Sequence, residues 1–250
     1  TVRRTETVMG LPMSLDLRAP DDERAQAAAR AAFAVLHAAD ARFSGRRADS
    51  ELSRHRRGLV ARPSRDLREV LDLAEAARVA SGGAFDVHRP DGTLDTDGVV
   101  KGWAAQRAVD RLVAAGFSDL CLNAGGDVAV RGGPEPGRPW VVGVRSPARV
   151  DGLVARVELH DGAVATSGTY ERGLHVWDGR TGAAARGLLS ATVVAPDLTT
   201  ADVLATSVLA LGEEGVAWAV DQGASLVLAV LPDGPVVRDG PAGRTQHFGI

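Results

Sequence analysis

The order of the periodic segments constrains this chain more than anything else: helical patterns and strand patterns come in runs and do not alternate. Apolar residues recur at helical spacing through Ala28, Ala31, Ala32, Val35, Leu36 and Ala39. They recur again through Leu67, Val70, Leu71, Leu73 and Ala74. After residue 115 the pattern shortens to strand-like pieces at 120–123, 127–131, 140–145, 155–159, 164–167, 174–177 and 190–195. Helical segments return at 200–211 and 213–221, and Leu226–Leu231 with Val236–Arg238 around Pro232-Asp233-Gly234 reads as a closing hairpin. A doubly wound parallel sheet needs strict alternation, so the expected class is α+β, with helices covering antiparallel sheets.

Smaller signals set the boundaries. Pro20-Asp21-Asp22-Glu23 opens the first helix, with proline and acids where a helix N-terminus favours them. Residues 7–17 read as one strand interrupted by Gly10 and Pro12, and the arginine-rich stretch 42–57 reads as a loop. Ser64 starts a helix that Gly82 stops, and a third helix spans about 100–115 before Gly116. With no repeat and no low-complexity linker, residues 1–250 are expected to form a single domain, with loose ends at 1–6 and 240–250.

Composition narrows the function classes. The 29 Lys and Arg against 32 Asp and Glu leave a net charge of −3, which supplies no bulk attraction to nucleic acid. No apolar run reaches the roughly 18–20 residues of a membrane helix. The start shows no signal-peptide pattern, so the expectation is a cytoplasmic location, with removal of a signal before this numbering as the alternative. Cys121 is the only cysteine, which excludes an intrachain disulfide and a cysteine-cluster metal site, and it is assigned to the core. Lys101 is the only lysine in a chain rich in arginine.

Four stretches carry chemistry. In 94–103, Asp95, Asp97, Gly98 and Lys101 lie where a helix begins; its free amides and the ammonium suit a phosphate, and the carboxylates suit a cation. The same residues equally make an ordinary helix cap, with Asp97 on the first amides. In 199–206, Asp202 and Thr206 are four apart on one helix face and offer two oxygens to a hard cation. Thr199-x-x-Asp202 equally resembles a capping box. Asn123-Ala124-Gly125-Gly126-Asp127 allows close approach of a ligand or merely a tight turn. Ala165-Thr166-Ser167-Gly168 offers hydroxyls, and His175 near Asp178 could act as a base.

Taken in order these blocks resemble the ApbE-type family of FAD:protein FMN transferases. The blocks are Met9-Gly10, Phe43-Ser44-x-x-Arg47-x-Asp49-Ser50-Glu51-Leu52, Gly83-x-Phe85-Asp86 and Asp95-x-x-Gly98-Val99-x-Lys101-Gly102. They continue with Asn123 to Asp127, Ala165 to Gly168, His175-x-x-Asp178-x-Arg180-Thr181-Gly182 and Ala201-Asp202-x-x-Ala205-Thr206. The resemblance covers residues 9–211. It implies a single ApbE-like, T-fold-like α+β domain. It also implies metal-dependent transfer of FMN from FAD to a Thr or Ser hydroxyl of an acceptor flavoprotein, with release of AMP. Hydrolysis of FAD to FMN and AMP, or flavin binding without chemistry, are the alternatives.

By the same resemblance Met9 lies beside the flavin, while Ala84, Phe85 and Asp86 line the FAD site. Asp95 and Lys101 contact the nucleotide, and Ser167 joins the FAD contacts. The Gly98 carbonyl, Asp202 and Thr206 hold Mg²⁺ or Mn²⁺, with Asp202 also counted as catalytic, and His175 assists deprotonation of the acceptor hydroxyl. The chain departs from the family pattern in three places: a short link from Asp86 to Asp95, Gly45-Arg46 where an aromatic residue often stands, and hardly any spacer before His175. These bear on the acceptor more than on FAD. Asp97 also replaces a usually small residue.

Overall fold

The computed structural model describes residues 1–149, 151–169 and 176–239. In chain order the strands are β1 (Val2–Val8), β2 (Leu11–Leu17), β3 (Leu120–Ala124), β4 (Asp127–Arg131), β5 (Trp140–Arg145) and β6 (Leu153–Leu159). They continue as β7 (Gly162–Gly168), β8 (Trp177–Asp178), β9 (Ala183–Ala184), β10 (Ser190–Ala195), β11 (Leu226–Leu231) and β12 (Gly234–Asp239). The helices are α1 (Glu23–Phe43), α2 (Glu51–Arg56), α3 (Arg65–Ala80), α4 (Asp97–Ala114), α5 (Leu198–Leu211) and α6 (Glu214–Asp221).

Eight strands form one antiparallel sheet in the order β1-β2-β3-β4-β7-β10-β11-β12. Alternation along its central strands sorts the side chains. Ala129, Ala163, Ala165, Ala191, Val193 and Val227 point to the helical face, and Val128, Val130, Val164, Val194, Leu226 and Leu228 to the other. The helical face is mostly alanine, and α4 and α5 pack closely on it. The opposite face is covered by the separate two-stranded ribbon β5–β6 through Trp140, Val142, Val144, Ala155, Val157 and Leu159. Each side of the sheet therefore has its own apolar core, and the class is α+β as expected.

The helix starts follow from their caps. Asp22 accepts from Ala25 N at 2.8 Å, Ser64 from Leu67 N at 3.1 Å and Asp197 from Thr200 N at 2.9 Å.

Several expectations need correcting. Residues 2–6 are not a loose end: they belong to β1, with Val2 buried. Residues 7–17 are not one interrupted strand but the end of β1, a turn and β2. Met9 and Gly10 both take positive φ there, 54° and 75°, which lets two residues reverse the chain. The stretch 42–57 is not all loop: α2 lies within it, with Ser50 accepting from Ser53 N at 3.0 Å. Only Leu52 of α2 is buried, so apolar periodicity could not announce it. Helix α4 begins at Asp97 rather than near 100. The stretch 240–250 lies outside the described residues.

Candidate functional site

A cleft of about 1160 Å³ opens at one end of the sheet. Its walls come from the β1–β2 turn, the loop after α3, the first turns of α4, the β3–β4 turn, β5, β7 and α5. Of the residues singled out in the sequence, Met9, Phe85, Asp86, Asp95, Gly98, Lys101, Ser167, Asp202 and Thr206 all line it. Ala84 does not: it is fully buried, and its carbonyl accepts from Gly179 N at 2.9 Å, which ties the loop to the turn after β8. His175 lies outside the described residues.

The floor is a charged trio. Lys101 Nζ lies 2.5 Å from Asp127 Oδ2 and 3.5 Å from Asp202 Oδ1. Both aspartates are about 2% exposed. Asp127 is held by Thr166 N, which donates to its Oδ1 at 3.0 Å. Asp202 Oδ2 accepts from Gly102 N at 2.9 Å. Gly102 N is the ordinary helical donor to the Gly98 carbonyl, so this bond brings Asp202 beside the first turn of α4. A side chain at 102 would stand 2.6 Å from Leu198 O and 2.7 Å from Asp202 Cβ, so only glycine permits the crossing. Burial pushes the Asp202 carboxyl above the usual carboxylate range; Lys101 and the Gly102 N–H oppose the rise and Asp127 adds to it.

The local cap readings are not realised. Asp197, not Thr199 with Asp202, caps α5. Helix α4 has no side-chain cap at Thr96, and Asp95 Oδ1 accepts from Asp97 N at 3.0 Å instead.

Thr206, one turn after Asp202, meets Ser167 of β7 with 3.0 Å between hydroxyl oxygens. Gly98 sits against Thr206 and Phe85: a Cβ there would lie 3.5 Å from Thr206 Cγ2 and 3.4 Å from the Phe85 ring. Asp202, Thr206 and the Gly98 backbone thus gather on one side of the floor. All their donor atoms are hard oxygens. Among the described residues no group of three or more His, Cys, Asp and Glu could hold a metal alone. So sparse an oxygen set fits Mg²⁺, which keeps water and substrate phosphates among its ligands.

The rim supplies further groups. Asp95 Oδ2 accepts from Arg89 Nε at 2.9 Å, and the Arg89 guanidinium stacks 4.9 Å from the centre of the Trp177 ring. Arg46 also lines the cleft. Asp86 Oδ1 accepts from His88 N at 2.8 Å. Cys121, assigned to the core, is half-buried on the cleft wall; burial pushes its thiol up to about 11 and keeps it protonated near neutral pH.

Sequence reasoning gave Asp127 no role beyond its place in the Asn123–Asp127 block, and left Arg89 and Trp177 out of the site. Asp127 carried one usable signal: an acid heading a strand whose next residues are Val, Ala and Val. Arg89 and Trp177 carried none, because their contact joins segments 88 residues apart by number.

Fold and site together define an α+β protein with a deep cleft, floored by one ammonium, two buried carboxylates and two facing hydroxyls. The chain belongs to the ApbE family, whose sequence model matches residues 87–228. Among similar proteins, one from Rhodobacter capsulatus named FAD:protein FMN transferase is 38% identical over 155 residues, covering 57% of this chain and 29% of that protein. One of the same name from Vibrio cholerae is 30% identical over 143 residues, covering 53% and 43%. The matched region therefore spans less than half the length of these relatives. The ApbE protein of Thermotoga maritima superimposes with a TM-score of 0.82 at 23% identity, over 96% of this chain and 97% of that one. The flavin transferase ApbE of Vibrio cholerae does so with the same score and coverage. At that identity the likeness establishes the fold.

Proposed function

We propose that this chain transfers FMN from FAD to a Thr or Ser hydroxyl of an acceptor flavoprotein, in a divalent-metal-dependent reaction that releases AMP. The observation that carries this reading is the convergence of Lys101, Asp202, Thr206 and Ser167 on the floor of one cleft with Met9 and Phe85 on its walls. A volume of about 1160 Å³ slightly exceeds the roughly 300–1,000 Å³ of most small-molecule sites, which suits a two-part ligand such as a dinucleotide.

In the transfer, the acceptor oxygen bonds to the phosphorus on the flavin side. The bond from that phosphorus to the bridging oxygen breaks, and AMP leaves with the oxygen. Lys101 and the first turn of α4 bind the pyrophosphate by charge and backbone donors. Phe85 and Met9 bury the flavin's apolar surface. His175 takes the proton from the acceptor hydroxyl, a role carried over from the family resemblance. Asp202, Thr206 and the Gly98 carbonyl would hold Mg²⁺ or Mn²⁺, which neutralises pyrophosphate charge and polarises the phosphorus when bound. The described helices include none long and apolar enough to cross a membrane.

The test is incubation with FAD, Mg²⁺ and a candidate acceptor, following AMP by chromatography and protein-bound flavin by in-gel fluorescence. Protein-bound flavin with equal AMP is expected, abolished by EDTA. AMP with only free FMN would assign hydrolysis instead. Turnover unaffected by EDTA would overturn the metal-dependent reading, and no AMP under any condition would leave binding without chemistry.

A further inference from the structure

We propose that the outer edge of β5 is the docking strand for the acceptor: an extended segment of the acceptor polypeptide adds beside it as a further strand and carries its hydroxyl into the cleft; this rests on the transferase reading above. β5 and β6 form a sheet of two strands, so each has one edge without a neighbour among the described strands. Of these two edges, one borders the cleft. Val141, Val142, Gly143 and Val144 line it in succession, whereas no residue of β6 does. Successive side chains point to opposite faces of a strand, so four in a row reach one space along the strand's edge. In an antiparallel pair alternate residues turn their N–H and C=O groups to the partner, and the others turn away. Among the described residues no hydrogen bond from outside the ribbon reaches the main chain of 141–144.

This edge also differs in make-up from the others. Open edges invite pairing, and proteins commonly block them with charge or proline. The edges of the large sheet carry Arg3, Arg4 and Glu6 in β1 and Pro235 in β12, and β6 carries Arg156 and Glu158. From Trp140 to Val144, β5 has neither charge nor proline. Instead Val141 is 58% exposed, and Leu153 of β6 spreads over Gly143, its methyls 3.2 Å from where a Cβ would stand. These side chains make an apolar strip beside the open edge, which suits an acceptor segment with an apolar or β-branched residue next to Val141. In strand addition the main-chain bonds supply affinity and the alternate side chains supply specificity. The register on β5 then decides which hydroxyl is presented, since a slip of one residue turns it to the other face.

The probe is a synthetic peptide spanning the modified hydroxyl of the acceptor that takes up flavin in the assay above. Its main-chain nitrogens are methylated one at a time, and flavin transfer is followed by fluorescence. The unmodified peptide is expected to accept flavin. Methylation is expected to lower kcat/KM by about 2–10-fold at every second residue and little between, the worth of one main-chain hydrogen bond. Losses at consecutive residues, or at none, would overturn the inference, as would a peptide that takes no flavin where the whole acceptor does. Val141→Lys is expected to raise KM for the peptide with kcat and the calorimetric Kd for FAD unchanged; an unchanged KM would overturn the inference. A dimer that Val141→Lys dissociates would give the edge to a second copy of this chain and overturn it too. If no protein takes up flavin in that assay, the transferase reading falls, and this inference with it.

Discussion

Two charged networks meet helix α4, and they differ in almost everything except the groups they use. At its start, Lys101, Asp127 and Asp202 form the buried trio. Farther along the same helix, Arg107 pairs with Glu69 at 2.6 Å and Asp66 at 3.5 Å, and Asp66 also pairs with Arg42. Arg42 reaches Glu51 at 3.4 Å, and Trp103 Nε1 donates to Glu69 at 2.9 Å. The second network ties α1, α2, α3 and α4 together on a surface where Arg107 and Glu69 remain more than a third exposed. Exposed pairs exchange water for a partner at little net gain, whereas buried ones pay a desolvation cost that only a fixed geometry offsets. The comparison teaches that ion pairing on one helix can serve two ends: at the rim it fastens helices, and in the cleft, on the reading proposed above, it holds charge for a ligand.

That contrast can be broken at its buried end first. Asp202→Asn should lower AMP release by about 10²–10³-fold, or about 2.7–4 kcal/mol, while FAD binding falls less. A chromatographic rate equal to wild type would return Asp202 to a structural role. Lys101→Ala should weaken FAD binding by roughly 1.5–3 kcal/mol in a folded protein, the worth of a charge-assisted phosphate contact. Calorimetry showing an unchanged Kd would remove Lys101 from the nucleotide site.

Next comes the joint itself. Gly102→Ala forces a Cβ against Leu198 O and Asp202 Cβ, and should cost about 1–3 kcal/mol in urea unfolding. A midpoint unchanged from wild type would mean that α4 and α5 can part freely. The smallest effect belongs to the rim. Glu69→Gln should cost less than about 1 kcal/mol and leave FAD turnover intact. The Arg107 and Trp103 hydrogen bonds hold the Glu69 carboxyl below its usual range. Its stabilisation is thus full above the unfolded-state value, about 4.3, and is lost as pH falls through the lower folded value. Melting curves of wild type and variant should therefore converge in acid; a gap that widens there would contradict the assignment.

The rim and the cleft were also unequally legible in the sequence. Helices α1 and α3 could be placed because their apolar spacing and capping residues agree, as at Ser64 and its bond to Leu67 N. The cleft residues could be gathered because short blocks stand in a family order, and nine of them line one space. Asp127 was read only as part of a block that allows ligand approach or a tight turn; only the folded sheet reveals that it is buried beside Lys101. Helix α2 and the rim network escaped for the opposite reason. Their residues are polar and partly solvated, so no periodicity marks them, and their partners lie 9 to 41 residues away. The turn at Met9 was hidden because positive φ is rare outside glycine, and nothing in the residue type declares it.

The bond from Gly102 N to Asp202 has a thermodynamic consequence. It joins the helix start beside the proposed phosphate position to the helix face beside the proposed cation position, with 100 residues of chain between them. A ligand that stiffens either end stiffens the other through a contact too tight to slip. Linkage then requires reciprocity: the factor by which FAD tightens the divalent ion is the factor by which the ion tightens FAD.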